Sequence, residues 1–287
     1  EYAYDDWCIY QMAKAMGRTG ESKIFERRSN YHLNVFDKSS GFVRGKKNGN
    51  WVSPFDPYEV SGIYTEANAW QYNWFMPHDI NGMIGLAGGI DKFTANLETL
   101  FSAENKLTGR SQPDISGLIG QYAHGNEPSH HMAYLFNYTS QPFRTADIAR
   151  KIMDEFYTTK RDGLIGNEDC GQMSAWYVFS AMGFYPVCPG SNLYDIGTPL
   201  FDEVMINPSN SKTTSIRSIR KYKSDRYVGM ARINGKESGL QFEHRHLAEG
   251  AKIEFELAAE SNAHLKGGGV STKPSKPSTM IPFVESC

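Results

Sequence analysis

The chain has 287 residues, 40 % of them apolar, and a formal net charge of −2, so it can bury one large core or two modest ones. The balanced charge and the lack of a basic stripe argue against a nucleic-acid-binding protein, and no apolar run reaches the ~18 residues that a membrane span needs. The four cysteines (Cys8, Cys170, Cys188 and Cys287) are too scattered for a disulfide framework and have no zinc spacing.

Residues 1 to about 185 carry a helical pattern, interrupted by loops rich in Gly, Pro, Asn and Asp. In the segment 144–157, for example, Ile148, Ile152 and Phe156 recur near the 3.6-residue period. The segments predicted as helices are 2–16, 20–37, 67–75, 78–87, 90–103, 117–137, 144–157 and 170–183. Because the polar sequences fall in alternate connections, the pattern predicts a helical barrel or toroid rather than a simple bundle.

The first polar segment, GIYTEANAWQYNWFMPHD, places the carboxylate of Glu66 close to two tryptophans. Partial desolvation by indole rings would favour the protonated form that a general acid needs. The alternative is a carboxylate in the first turn of a helix, with Thr65 as its cap. That alternative accounts for Glu66 but not for the aromatic and amide side chains in the same two turns, so a functional role is favoured.

The second polar segment, QYAHGNEPSHH, interrupts a helical pattern at Gly125 and Pro128. The interruption exposes Asn126 and Glu127, whose hard oxygen donors suit calcium. A zinc site is a weaker alternative, because the histidines lack HExxH spacing. A proline-kinked helix with histidines in its core is the structural alternative.

The third polar segment, DGLIGNEDCGQMSAW, sets the adjacent carboxylates Glu168 and Asp169 between glycines at the mouth of a predicted helix. Such acids are usually caps, and a metal site or half of a catalytic pair are the other possibilities. Because this is one of three unusual polar interruptions, a site shared by all three is favoured.

After Pro186 short alternating runs separated by Asn, Ser, Gly and Asp predict an antiparallel sheet or sandwich over about 193–260. The last residues are rich in Gly, Ser, Pro and Lys and predict an extended or mobile tail. The predicted domains are therefore a helical catalytic region, 1–190, a β-strand region, 191–262, and the tail, 263–287.

Three long blocks of the chain resemble glycoside hydrolase family 92, the calcium-dependent exo-acting α-mannosidases. The blocks are TEANAWQYNWFMPHD, GLIGQYAHGNEPSHHMAYLFNY and GLIGNEDCGQMSAWYVFSAMGFYPV. The resemblance covers about residues 1 to 258 and concerns the C-terminal part of the family. It implies the last part of an (α/α)₆ barrel followed by the antiparallel strands of a sandwich, so the fold class is mainly α with a β region.

The resemblance also implies the roles of the carboxylates. Glu66 is expected to be the general acid and Asp169 the general base of an inverting hydrolysis, with calcium held by Asn126, Glu127 and Asp169. Many bacterial members carry Asp at the position of Asn167, so the base role here rests on Asp169. The residues expected to bind the sugar are Trp70, Gln71, His78, Asp79, His130, Asn167 and Glu168, and for Glu168 the alternative is a role in supporting the residues that contact the sugar.

The expected partners are mannose-containing glycans and a companion N-terminal chain or domain that completes the barrel, with no nucleic acid and no membrane. The expected location is secreted or extracytoplasmic. The alternative function is a non-catalytic mannose-binding or structural protein of the same fold. A lyase or phosphorylase of a similar helical toroid is disfavoured, because no basic pocket for a uronate is evident.

Overall fold

The chain combines helices with many short strands. The computed structural model describes residues 1–208, 212–263 and 265, and these residues form two units, Glu1–Ala123 and the residues from His124 onward. The predicted tail lies outside the described residues, apart from Ala263 and Leu265. Within the described part of the chain, no helix has both the length and the apolar character needed to cross a membrane.

The first unit is mainly helical, with four pairs of two-residue strands. Its helices are α1 (Tyr2–Ala15), α2 (Thr19–Arg28), α3 (Ala69–Tyr72), α4 (Ile80–Ala87) and α5 (Ile90–Ser102), with a 3₁₀ helix at Tyr31–Val35. Its strands are β1 (Phe36–Asp37), β2 (Phe42–Val43), β3 (Lys46–Lys47), β4 (Asn50–Trp51), β5 (Glu59–Val60), β6 (Thr108–Gly109), β7 (Leu118–Ile119) and β8 (Tyr122–Ala123). The pairs β1–β2, β3–β4 and β7–β8 are antiparallel, and β5–β6 is parallel. Phe93, Leu97 and Leu100 of α5 are fully buried at the helical period, which anchors this helix in the core.

The second unit places helices before two sheets. Its helices are α6 (Phe143–Phe156), α7 (Gln172–Met182) and α8 (Arg245–Ala248), with 3₁₀ helices at Glu127–Ser129, Met132–Tyr138 and Ser261–Ala263. Its strands are β9 (Phe184–Tyr185), β10 (Leu193–Ile196), β11 (Glu203–Ile206), β12 (Thr214–Ile219), β13 (Tyr227–Ile233), β14 (Lys236–Ser238), β15 (Gln241–Glu243) and β16 (Lys252–Ala258). The sheet orders are β15-β10-β9 and β11-β12-β16-β13-β14. Phe184 and Phe242 of the smaller sheet share one buried core with Ile253 and Phe255 of the larger sheet.

The prediction of an antiparallel β region is wrong for one pair of these strands. The strands β12 and β16 pair in parallel, with Ser215 opposite Lys252, whereas β16 and β13 pair antiparallel. Because β16 enters the sheet between two strands that precede it in the chain, its direction depends on long-range packing and not on local turns. The change from helix to strand near residue 185 lies inside the second unit, and the predicted domain boundaries stay predictions.

The predicted helix at 117–137 is wrong. The segment forms the β7–β8 hairpin and then two 3₁₀ helices. Gly117 and Gly120 have left-handed φ angles of 63° and 60°, which end any helical run. Pro128 lies in the first turn of the 3₁₀ helix Glu127–Ser129, where its missing N–H costs no hydrogen bond.

Two other predicted helices are shorter than their patterns indicate. The helix predicted over 20–37 ends at Arg28, where the Ser29 hydroxyl and the Asn30 amide both donate hydrogen bonds to the carbonyl of Glu26. Such short polar side chains compete with the helical backbone. The helix predicted over 67–75 spans only Ala69–Tyr72, because Asn68 caps its start.

Candidate active site

Glu66 lies on a loop that leads into α3. Its φ angle of 51° places it in the left-handed region, which costs a non-glycine residue about 1–2 kcal/mol. The Glu66 side chain is exposed, so in this chain it is not desolvated by neighbouring tryptophans as the sequence predicts. The alternative with Thr65 as the helix cap is also wrong, since the cap is Asn68. Glu66 therefore stands outside the helix, on a strained loop position.

A network of buried amides anchors this loop. Asn68 and Gln71 form a capping box, in which Gln71 Oε1 accepts from the Asn68 amide at 2.7 Å. Asn68 Nδ2 donates to Gln121 Oε1 at 2.9 Å, and Gln71 Nε2 donates to the Gln121 carbonyl at 2.8 Å. Gln121 Nε2 donates in turn to the carbonyls of Glu104 and Lys106 at 2.7 and 2.9 Å. Gln71, a predicted sugar-binding residue, thus uses its amide to hold the loop.

Gln121 completes this network, and the sequence alone does not predict its role. It is fully buried and joins the loop of Glu66 to the β7–β8 hairpin. The only available signal was its place at the head of the block QYAHGNEP. A polar amide there stands out only once the block is known to form a hairpin instead of a helix.

Trp70 and His78, two of the predicted sugar-binding residues, lie in aromatic surroundings in the first unit. Trp70 packs edge-to-face on Phe42, with ring centroids 5.0 Å apart. Its indole Nε1 is buried and makes no hydrogen bond within the described part of the chain. His78 stacks on Tyr4 at 6.0 Å and meets His32 edge-to-face at 5.3 Å. Flat apolar faces of this kind suit the CH face of a sugar, and the binding role stays a prediction.

His78 and Asp79 have defined ionisation states. His78 Nε2 donates to the Ser29 carbonyl at 2.9 Å, and burial lowers the pKa of His78 to about 4, so the ring is neutral at neutral pH. Asp79 caps α4 by accepting from the Gly82 amide at 2.9 Å, and its Oδ2 lies 3.5 Å from His32 Nε2. Although burial acts to raise the pKa of Asp79, the hydrogen bonds from His32 and Gly82 lower it overall. Asp79 therefore stays ionised.

The histidines of the second polar segment are held by protein groups. His124 Nε2 lies 2.7 Å from Tyr157 Oη, which donates to the Met173 carbonyl at 2.9 Å. His130 Nε2 donates to the His124 carbonyl at 2.9 Å, and its Nδ1 accepts from Gln172 Nε2 at 3.3 Å. Burial lowers the pKa of His130 to about 4 and that of His124 well below its usual range. Both rings are neutral and are hydrogen-bonded to protein groups in the core. Their contacts therefore give no support to a zinc site at these residues.

The adjacent carboxylates of the third segment have different surroundings. Glu168 accepts two hydrogen bonds from Ser174, from the backbone amide to Oε1 at 2.9 Å and from Oγ to Oε2 at 2.7 Å. These bonds lower the pKa of Glu168 and satisfy an amide in the first turn of α7. Among the described residues, none donates a hydrogen bond to the half-buried Asp169 carboxylate, so this carboxylate carries no comparable structural role.

The backbone of this segment is unusual. Asp169, Cys170 and Gly171 have consecutive left-handed φ angles of 49°, 55° and 93°. This turn precedes α7 directly, and Gly171, not Asp169, is the N-cap residue of that helix. Asn167, the neighbouring predicted sugar-binding residue, is exposed.

The predicted metal ligands of the second segment are oxygen donors. Asn126 is buried, and Glu127 is exposed at the start of the 3₁₀ helix Glu127–Ser129. In the described chain, no group of three or more His, Cys, Asp or Glu side chains is arranged to hold a metal ion. Calcium takes 6–8 oxygen ligands, so Asn126, Glu127 and Asp169 have suitable chemistry but are too few to complete a site. Water, sugar hydroxyls or residues beyond this chain would have to supply the rest.

The family whose model matches the chain is described as the glycosyl hydrolase family 92 catalytic domain, and the match covers residues 1–259. An uncharacterised secreted glycosidase of Arthroderma benhamiae is 29 % identical over 292 residues, which cover 92 % of this chain and 35 % of that protein.

Solved structures give a similar result. The family GH92 α-mannosidase BT3965 of Bacteroides thetaiotaomicron, in complex with mannoimidazole, matches with a TM-score of 0.84 and 38 % identity, covering 91 % of this chain and 35 % of that one. The family GH92 inverting mannosidase BT2199 of the same organism matches with a TM-score of 0.81 and 34 % identity, covering 96 % and 38 %. The chain therefore spans about a third of the length of these relatives.

Proposed function

Because the chain belongs to glycosyl hydrolase family 92, we propose that it is part of an exo-acting α-mannosidase that removes terminal α-linked mannose from mannose-rich glycans with inversion. The observation that carries the proposal is the likeness, at 38 % and 34 % identity, to an α-mannosidase and to an inverting mannosidase. The left-handed backbone at Glu66 and Asp169 supports it, because strained non-glycine residues concentrate at functional sites.

In the proposed reaction Glu66 is the general acid. It protonates the glycosidic oxygen while the bond from that oxygen to the anomeric carbon breaks, so the leaving sugar departs as a neutral alcohol. The buried amides of Asn68, Gln71 and Gln121 fix the loop that carries it. An exposed carboxyl on an anchored loop can exchange its proton with water between turnovers.

Asp169 is the proposed general base. It takes a proton from the water that attacks the anomeric carbon on the face opposite the leaving group, which inverts the configuration. A carboxylate without structural hydrogen bonds among the described residues has lone pairs available both for that water and for the calcium proposed below. Inversion requires the two carboxyl groups to lie ~6.5–9.5 Å apart, with the water between them.

The other predicted sugar-binding residues divide by their surroundings. The side chains of Gln71, His130 and Glu168 already bond to protein groups, so we expect them mainly to shape the site. Trp70 is better placed to contact the sugar, through its ring and through an indole N–H that makes no hydrogen bond within the described chain. Asn167 is exposed and stays a proposed sugar contact. His78 and Asp79 stay proposed sugar contacts.

Calcium is the proposed cofactor, with Asn126, Glu127 and Asp169 as its ligands from this chain. When bound, it would supply an electrostatic template for vicinal sugar hydroxyls. We expect a chelator to abolish mannose release and added calcium to restore it. The variant Glu127→Gln should need more calcium for the same rate, and hydrolysis that persists in the chelator would exclude the cofactor.

We also propose that the remainder of the protein completes an (α/α)₆ barrel around this chain. The exposed side of α1 and α2 supports this, because Ile9, Met12, Met16 and Ile24 are 44 %, 63 %, 60 % and 49 % exposed. Apolar side chains clustered on one helical hairpin indicate a covered surface in the mature protein. The part of the relatives that this chain does not span is the proposed cover.

A two-piece experiment tests the cover. This chain and the preceding part of the full-length protein are co-expressed, with a tag on one piece only. Replacing Met12 and Met16 by Asp should reduce the amount of untagged piece that is recovered with the tagged one. The control Lys14→Asp, at another exposed residue of α1, should not reduce it. Equal recovery of all variants would exclude this face as the contact.

The proposed cellular location is secreted or extracytoplasmic. The Arthroderma benhamiae relative is described as secreted, which supports a location outside the cytoplasm.

The full-length protein tests the activity. Mannose release from a mannose-rich glycan is followed by NMR, which reports the anomer formed first, and inversion predicts β-mannose. Glu66→Gln and Asp169→Asn should each lower kcat by roughly 10²–10⁴-fold. The matched controls Glu59→Gln and Asp162→Asn change exposed carboxylates and should keep wild-type rates. Mannose binding without hydrolysis would establish the non-catalytic alternative.

A further inference from the structure

The carboxylate of Glu168 and its backbone hold the two ends of one turn. Its two side-chain oxygens accept from Ser174 at 2.9 and 2.7 Å. Its carbonyl accepts from the amides of Gly171 and Met173, both at 3.2 Å. Four hydrogen bonds thus connect Glu168 to residues on the far side of Asp169.

The turn that these bonds enclose is held in an unfavourable conformation. Asp169 and Cys170 both have left-handed backbones, although neither is a glycine. Gly171, with φ of 93°, has open space where a side chain would stand, so glycine is needed there for its backbone angle and not for room. Without restraint, the two non-glycine residues would relax toward right-handed or extended backbone, and the Asp169 carboxylate would turn with them.

We propose that Glu168 is a positioning residue for the general base: through Ser174 it fixes the left-handed turn that aims the Asp169 carboxylate. This inference rests on the proposed function, and of the two roles expected for Glu168 from the sequence it selects the supporting one over the sugar contact. The two roles differ in their kinetic result. A sugar contact acts on substrate binding, whereas a misplaced base slows the chemical step.

Steady-state kinetics of the full-length protein separate these roles. Glu168→Gln and Ser174→Ala should each lower kcat roughly 10- to 100-fold with KM unchanged within about twofold, because small misplacements of catalytic groups cost factors of this size. Since both variants break one interaction, the double variant should be no slower than the slower single one. Ser174→Thr keeps the hydroxyl and the amide and should restore most of the rate. A rise in KM with kcat unchanged, or effects that multiply in the double variant, would overturn the proposal.

Amide hydrogen exchange tests the same restraint without turnover. In the full-length protein, Glu168→Gln and Ser174→Ala should speed exchange in the segment 169–174, and the control Asp162→Asn should not. If the wild-type protein releases no mannose, the proposed function fails and exchange alone decides whether Glu168 holds the turn. If it does release mannose but exchange in the Glu168→Gln variant matches wild type, the positioning role fails and the proposed function stands.

Discussion

Asp195 of β10 offers a sharp test of how burial controls stability in the second unit. The carboxylate is almost fully buried, with 1 % of the residue exposed. It accepts hydrogen bonds from Tyr138 Oη at 3.1 Å and from Gln241 Nε2 at 3.2 and 3.3 Å. Burial nevertheless raises the pKa of Asp195 to about 7. The perturbation is Asp195→Asn, which removes the titration and preserves the shape.

Proton linkage determines how the contribution of Asp195 to the free energy of unfolding changes with pH. Because the pKa of Asp195 is raised in the folded state, its stabilising contribution is fully present below pH 3.8 and is lost as the pH rises to about 7. Over that interval the loss is about 4 kcal/mol, at 1.36 kcal/mol per pH unit. The asparagine variant lacks this loss. Any misfit of its NH₂ group with the donors of Tyr138 and Gln241 adds a constant that does not change with pH.

Buried histidines titrate in the same range with the opposite sign. The pKa values of His78 and His130 are lowered to about 4, so their contributions are present at neutral pH and are lost as the pH falls below about 6.5. The total stability of the wild type is therefore not diagnostic. The difference in unfolding free energy between variant and wild type is diagnostic, because the histidine contributions cancel in that difference.

The assay is chemical denaturation of the wild type and the Asp195→Asn variant at pH 4, 5, 6, 7 and 8. The difference in unfolding free energy should move in favour of asparagine by up to about 4 kcal/mol across this range. The exposed replacement Asp162→Asn controls for the loss of one negative charge. Tyr138→Phe removes a donor to the anion and should shift the change to higher pH. A difference that is flat with pH would refute the reasoning.

Three further predictions concern buried polar groups. Gln121→Ala leaves one side-chain donor and two carbonyls unpaired, so it should lower the free energy of unfolding by about 3 kcal/mol or more, measured by denaturation, and reduce the proposed mannose release of the full-length protein. Trp176→Phe should cost about 2–3 kcal/mol in the same denaturation assay, since Trp176 is fully buried and its Nε1 donates to the His130 carbonyl at 2.9 Å. Asn137 begins a glycosylation triplet but is buried with Nδ2 bonded to the Ile196 carbonyl at 2.8 Å, so mass spectrometry of protein from a glycosylating host should find it unmodified.

The elements that were predictable are those whose pattern is local. The apolar stripe predicts a helix over 144–157, and α6 spans Phe143–Phe156. The segment 117–137 has similar spacing, but Gly120 decides its structure. A side chain at Gly120 would stand 2.3 Å from the carbonyl of Leu100, which also accepts from the Gln121 amide at 2.7 Å. That contact joins distant parts of the chain, and no local pattern reports it.

The site shows the same division. The three polar segments are visible in the sequence because their composition departs from the helices around them. The different roles of Glu168 and Asp169 are not visible in the sequence, since both are carboxylates before one helix. This difference depends on Ser174, whose backbone amide and hydroxyl both donate hydrogen bonds to the Glu168 carboxylate.

Backbone conformation supplies an argument for the two proposed catalytic residues that is independent of any relative. Within the described chain, the non-glycine residues with left-handed backbone are Asn48, Glu66, Asp169, Cys170 and Asn234. The two asparagines each precede a glycine between paired strands, β3–β4 and β13–β14, where the tight turns of hairpins favour this conformation. No hairpin explains the other three. They are the proposed acid, the proposed base and the neighbour of the base, and strain kept at such positions is expected where a side chain must be aimed.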